Sequence, residues 1–221
     1  MKDVIPIVIT VTVFFLATVV YCSFFEWNLH KHWMHKPWKI PFTKWKVEYP
    51  FKAHALTHHV IFRADETYHL IKDEDKWTIP MAWWNGPVLV AVSSTPWIIP
   101  SIIVHSVFSI SFWVPYTAST VTIALYYVIY EYIHWCMHLP QPKHQRLLER
   151  SSLFRKLNGH HLLHHFCQHK NFNVVFPLAD FFMGTLITVS KFRFNQPEGP
   201  SVPNVQPDGI SLPDKKLVGN T

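Results

Sequence analysis

Residues 5–35 read IPIVITVTVFFLATVVYCSFFEWNLHKHWMH. The run from Ile5 to Phe25 carries no charge over about twenty residues, the length that spans a bilayer core. It is too long for the apolar region of a signal peptide, and no small-residue cleavage site follows it. The text passes instead through Glu26 and Trp27, the latter placed as an interfacial anchor, directly into His30 and His35. An apolar helix that ends in histidine sets the reading of everything downstream.

Working outward, residues 31–79 are polar and basic, with Lys31, Lys36, Lys39, Lys44, Lys46 and Lys52 in the first half and Pro37, Pro41 and Pro50 breaking any long helix. From Gly86 to Trp135 the text is apolar again and holds no Lys or Arg. It has room for a transmembrane hairpin, at about 86–135, with Pro96 and Pro100 kinking the first arm and Pro115 marking the turn. His105, isolated there, reads as structural. Residues 139–173 are basic, and Val174 to Val189 reads as an interfacial or core helix carrying Asp180. The chain from 194 to 221 is rich in Pro and Gly and reads as a flexible tail. The organisation is therefore an N-terminal transmembrane helix (1–25), a catalytic domain (26–193) and the tail. Because cytoplasmic loops collect Lys and Arg, both basic stretches belong on the cytoplasmic face.

Composition narrows the chemistry. Six glycines in 221 residues, with no GxGxxG or GxxxxGK[ST], argue against a phosphate cradle. A net charge of +6 points to the anionic leaflet rather than to nucleic acid, since the basic residues flank apolar spans. Cys22, Cys136 and Cys167 form no CxxC and no even framework, so neither a thiolate zinc site nor a disulfide scaffold is indicated. Sixteen histidines are the surplus to be explained.

Ten of them fall into four motifs: His30 and His35 (HxxxxH), His54, His58 and His59 (HxxxHH), His134 and His138 (HxxxH), and His161, His164 and His165 (HxxHH). Residues three or four apart share a helix face. On that rule His134 and His138 aim at one site, as do His54 with His58, and His161 with His164 and His165. His59, about 100° round from His58, reaches toward a second ion. His30 and His35, five apart, need a helix end or local unwinding to meet. Ten imidazoles exceed one ion's ligand number and imply two metals. Imidazole suits iron, zinc, copper and nickel alike. Glu131, Asp180 and, more weakly, Glu26 are carboxylates placed to accept the second N–H of a ligand ring. His160 and His169, flanking the last motif, are candidates for the same supporting shell, and His32 reads as solvated. One Glu-x-x-His, at Glu131 to His134, lacks the partners of a carboxylate di-iron bundle.

The ordered motifs resemble those of the fatty acid hydroxylase superfamily, which includes sterol desaturases and sterol methyl oxidases. Glu26 to His35 is similar to the first box of the fatty acid 2-hydroxylases, Tyr130 to His138 to their Tyr-Asp-x-x-His-x-x-x-His box, and His160 to Phe166 to their last box. Asn171 to Asn173, then Pro177 to Asp180 and Gly184-Thr185, are similar to the segment that closes that domain. The second box departs: three residues separate His54 from the doublet, where the 2-hydroxylases have two. The resemblance, over about residues 24–186, implies an all-α integral membrane protein of about three to four transmembrane helices, with a cytosolic helical cap carrying a histidine-rich dimetal site. It implies two iron ions (zinc being able to occupy the site in purified protein), dioxygen as co-substrate, and a separate electron donor such as cytochrome b5 or a ferredoxin with its reductase, since no such domain is fused. No catalytic residue is called for beyond the metal ligands. The expected activity is hydroxylation of a lipid C–H bond, a fatty acyl chain foremost, in the endoplasmic reticulum of a eukaryote or the inner membrane of a bacterium. Trp83, Trp84 and the aromatics from Phe172 to Phe182 are placed to line a lipid path or to pack. A desaturase, a sterol oxidase and a non-catalytic membrane metal-binding protein are the competing readings. A transporter is disfavoured because its ligands would sit at mid-membrane, on broken helices.

Overall fold

The structure, a computed structural model, describes residues 4–139 and 143–188. The proposed tail at 194–221 lies outside the described residues, as does Val189. The chain is mostly helical. Helix α1 spans Val4–Asn28 and runs on without a break as a π-helical segment, Leu29–Met34. Two short strands, β1 (Trp38–Lys39) and β2 (Lys46–Val47), pair antiparallel in the following loop, a minor departure from an all-α chain. Helix α2 (Tyr49–Ala53) leads into a second π segment, His54–His58, and then into α3 (His59–Ile61). Helices α4 (Asn85–Ser94) and α5 (Ile98–Phe108) are joined through a single 3-10 turn, Thr95–Trp97. Helix α6 (Trp113–His138) follows, then α7 (Lys143–Glu149), α8 (Ser152–Phe166) and α9 (Leu178–Phe182).

Two helical stretches among the described residues, Val4–Met34 and Asn85–Phe108, are long and apolar enough to cross a membrane. Most of the α1 surface is exposed Val, Ile, Phe and Leu, including Val8, Ile9, Val13, Phe15 and Leu16. Of its six buried residues, Ser23 and Trp27 bond to Phe176 and Thr185, while Phe14, Thr18, Cys22 and Glu26 recur every fourth position and form one stripe. That stripe packs on α6. Small polar residues bring the helices together there: Thr18 donates to Ser119 Oγ at 3.1 Å, both fully buried.

Proline acts more gently than its spacing suggests. Pro96 sits in the 3-10 turn, which links α4 to α5 without breaking the stretch. Pro115 is in the first turn of α6, where its missing N–H has no helical partner to lose. The turn lies earlier, at 109–112, where Ser109 adopts a left-handed conformation (φ 55°) and His105 Nδ1 lies 3.0 Å from the Ile110 carbonyl.

The expected helix over 174–189 is corrected. Among the described residues of that stretch only Leu178–Phe182 is helical, because side chains capture the backbone on either side. Asp180 accepts from the Phe172 and Asn173 amides at 2.9 and 2.7 Å, and Asn173 Oδ1 accepts from the Asp180 amide. Asn171, at φ 55°, receives the Ile187 amide on its side-chain oxygen. The segment becomes a strap, cross-linked by its own hydrogen bonds, lying across α1 and α8.

Candidate metal centre

The two π segments with the residues that follow them, and the ends of α6 and α8, bring ten buried or half-buried imidazoles together. They divide into two groups of five: His30, His35, His54, His59 and His164, and His58, His134, His138, His161 and His165. Within each group the five ligand atoms lie within 4.8 Å of one another. The groups adjoin, with the rings of His59 and His165 4.3 Å apart.

The partition corrects the face rule in two places. His54 and His58 go to different groups, because His54–His58 is π-helical and its turns hold an extra residue. In a π turn, positions five apart come together, so His54 meets His59, their Nε2 atoms 2.9 Å apart. The same device joins His30 to His35 across Leu29–Met34, their rings stacked at 5.3 Å. The extra residue of the HxxxHH motif is thus absorbed locally. His164 likewise leaves His161 and His165. On the regular helix α8 it lies about 100° from His165, and α8 points between the two groups.

The rings are held from behind by backbone carbonyls. His138 donates Nδ1–H to Tyr68 O at 2.8 Å, His164 to Lys170 O at 2.7 Å and His165 to Phe62 O at 2.7 Å. His30 donates to Phe172 O. A neutral ring that donates from Nδ1 keeps its lone pair on Nε2. The Nε2 atoms face inward and crowd each other: His30 to His54 at 2.8 Å, His164 to His35 and to His59 at 3.2 Å, and His161 to His138 and to His165 at 3.1 Å. His134 Nε2 is buried with no hydrogen-bond partner. Converging lone pairs and an orphaned buried nitrogen are costly by themselves and are the donor set that a cation satisfies. Nitrogen-only ligation fits iron, zinc, copper or nickel.

Burial, first, makes protonation unfavourable. It lowers His35 to about 4 and His165 to about 3. Burial and then neighbouring imidazoles push His54, His58, His59, His161 and His164 well below the usual range. At neutral pH these rings are uncharged and available to bind metal.

The carboxylates stand one step further back than the sequence suggests. None of the hydrogen bonds described for the Asp180 carboxylate comes from the ten rings. Burial would raise its pKa, but bonds from His160, Thr185 and the Asn173 and Phe172 amides outweigh that and hold it low. It thereby fixes Phe172, whose carbonyl receives His30. Glu26 accepts from Tyr126 at 2.7 Å and from the Val174 amide at 2.5 Å, pinning the same strap to α1. Glu131 pairs with Tyr127 at 2.7 Å and contacts no ligand ring by a hydrogen bond. His160 binds Asp180 at 3.2 Å. His169 and His32 are exposed, so His169 supports nothing here. The supporting roles of Phe62, Tyr68, Lys170 and Phe172 rest on main-chain oxygens, which carry no residue signature.

A narrow, mostly apolar cavity lies between α1, α4 and α6, with His30 in its lining. A smaller one touches His54, His58 and His134, and the two share Met34, Met81 and Tyr130 as walls. Trp83 and Trp84 line neither: Trp83 is exposed and Trp84 packs on Tyr49 at 4.7 Å. Of the later aromatics, Phe172 lies against His30 and His164, each at 5.7 Å, whereas Phe176, Phe181 and Phe182 are exposed. No family model, no curated protein and no solved structure matches this chain.

Proposed function

We propose that the chain is a membrane-bound dimetal oxygenase that hydroxylates a lipid C–H bond, a fatty acyl chain foremost, of the kind found in the fatty acid hydroxylase superfamily. The observation that carries the reading is the pair of adjoining five-imidazole groups beside an apolar cavity that reaches His30. Two iron ions, reduced through a separate donor such as cytochrome b5 or a ferredoxin with its reductase, would supply the oxidising power: dioxygen, two electrons and two protons yield one inserted oxygen atom and one water.

The chain's own share is positional. His30, His35, His54, His59 and His164 would hold one ion, and His58, His134, His138, His161 and His165 the other. The carbonyls of Phe62, Tyr68, Lys170 and Phe172 fix ring orientation and tautomer. The buried rings of Tyr68 and Phe172 keep water from the imidazoles. None of the hydrogen bonds described for the ten rings goes to a carboxylate, so no side chain is called on as acid or base. In this reading α1, the α4–α5 stretch and α6 all cross the bilayer, and the centre faces the cytoplasm beside the basic loops.

The test is mass spectrometry of lipids from hosts expressing the wild type or a His164→Ala/His165→Ala variant, with a reductase supplied. A lipid gaining one oxygen only with the wild type supports hydroxylation. A lipid losing two hydrogens makes the chain a desaturase. No wild-type-dependent change, in a protein that carries two metals, favours a non-catalytic metal protein.

A further inference from the structure

The cavity between α1, α4 and α6 runs from His30 to Cys22, Ser93 and Ile123. One helical turn beyond that far end, Thr18 and Ser119 meet through their hydroxyls and are fully buried. The cavity is therefore stopped at a floor inside the apolar stretches Val4–Met34 and Asn85–Phe108.

Its wall has nothing for an anionic group, although Glu131 Oε2 is buried there without a hydrogen-bond partner. Among the lining residues there is no Lys or Arg. The two carboxylates, Glu26 and Glu131, each already accept a tyrosine hydroxyl at 2.7 Å. Ser93 donates to the Leu89 carbonyl at 2.5 Å. An anionic headgroup here would lie unpaired beside carboxylates in a medium of low dielectric, a costly arrangement. Hydrocarbon fits without that cost.

We infer that this cavity measures the lipid from its methyl end. The inference rests on the oxygenase reading. The tail enters first, stops against the floor at Cys22, Ser93 and Ile123, and places before the histidines the carbon at a set distance from the terminal methyl. The distance follows from helix geometry. Cys22 to His30 is roughly 12 Å and Ile123 to His134 roughly 16 Å, at ~1.5 Å per residue. An extended alkyl chain built of ~1.5 Å bonds advances about 1.3 Å per carbon. The oxidised carbon therefore lies roughly nine to thirteen positions from the methyl terminus. The charged or polar end stays outside, past Met34, Met81 and Tyr130.

Photocrosslinking tests the tube without relying on activity. Palmitic acid methyl ester with a diazirine beside its methyl terminus, added to the full chain in lipid nanodiscs, is expected to label peptides holding Cys22, Ser93 or Ile123. Labelling confined to Met34, Met81 or the 36–53 loop overturns the proposal. A second arm uses the metal-loaded protein with reductase and a series of saturated acyl methyl esters of increasing length. The inserted oxygen is expected at a fixed count from the methyl end. A fixed count from the ester overturns the ruler and leaves the oxygenase reading standing. Floor labelling with no oxidised product in any arm overturns the oxygenase reading and leaves the tube. Ile123→Trp should move the oxygen roughly two carbons toward the methyl end and Ile123→Ala move it away, both judged in protein retaining the wild-type metal content. No movement with either variant overturns Ile123 as floor.

Discussion

The two histidine groups do the same job by different means. One takes His30 with His35 and His54 with His59, residues five apart on π-helical turns. The other takes His134 with His138 and His161 with His165, residues four apart on regular helices. The second group is buried throughout, whereas His35 leaves the first partly open. The lesson concerns tolerance. A π turn accommodates one extra residue and re-aims the side chains beyond it, while a regular helix carries any insertion through to every later side chain. Each group also borrows one ring from the other's motif, His164 in one direction and His58 in the other, so neither can be built alone.

The largest expected effect tests that interdependence. In His164→Ala/His165→Ala each group loses a ring, and metal measured by plasma mass spectrometry should fall from two ions to fewer than one per chain. Affinity should drop by more than the ~100-fold seen when only a supporting group is lost. Next come length changes. Deleting the exposed Leu56 turns the π turn into an α turn, which still places His54 and His59 on one face, and metal content should remain above about half. Inserting one alanine between Trp135 and Cys136 rotates His134 by about 100° and should empty the second group. Equal loss in both would break the comparison.

A subtler contrast comes from Asp180→Asn. It loosens Phe172 behind His30 and should weaken the first group about tenfold in metal affinity, leaving the second unchanged in a competition titration. Acid separates the groups more mildly. Rings held near 4 at His35 and near 3 at His165 bind protons more readily in the unfolded chain, whose histidines titrate near ~6.5. The chelated protein should therefore lose stability as pH falls below about 6.5, the His35 contribution levelling off near 4 and the His165 contribution near 3, in denaturant melts. His169→Ala, at an exposed side chain, should change neither metal content nor stability by more than about 0.5 kcal/mol.

Much of this was legible from residue types and spacing. The apolar run from Ile5 and the four histidine motifs need no coordinates, and the ten imidazoles brought together are those the motifs single out. The partition between groups was not legible. It depends on whether a turn closes four or five residues on, a matter of hydrogen-bond register that HALTH and LHKHWM do not announce. The stretch 174–189 reads as a helix from its sequence because Asp180 looks like an ordinary polar interruption until it and Asn173 bind each other's backbone. Carbonyl partners at Phe62, Tyr68 and Lys170 are invisible to any reading of side chains.

The bond from His30 to the Phe172 carbonyl joins residues 142 apart, and Asn173 reaches back 150 residues to the Ser23 carbonyl. The first helix must therefore wait, its histidines unsupported, until the chain as far as residue 173 has left the ribosome. Closing so long a loop makes completion of the centre a late, all-or-none event in biosynthesis. A chain halted before residue 172 has made all ten histidines of the two groups yet lacks the piece that locks the first of them, so any metal the groups take would be delivered after synthesis rather than during it.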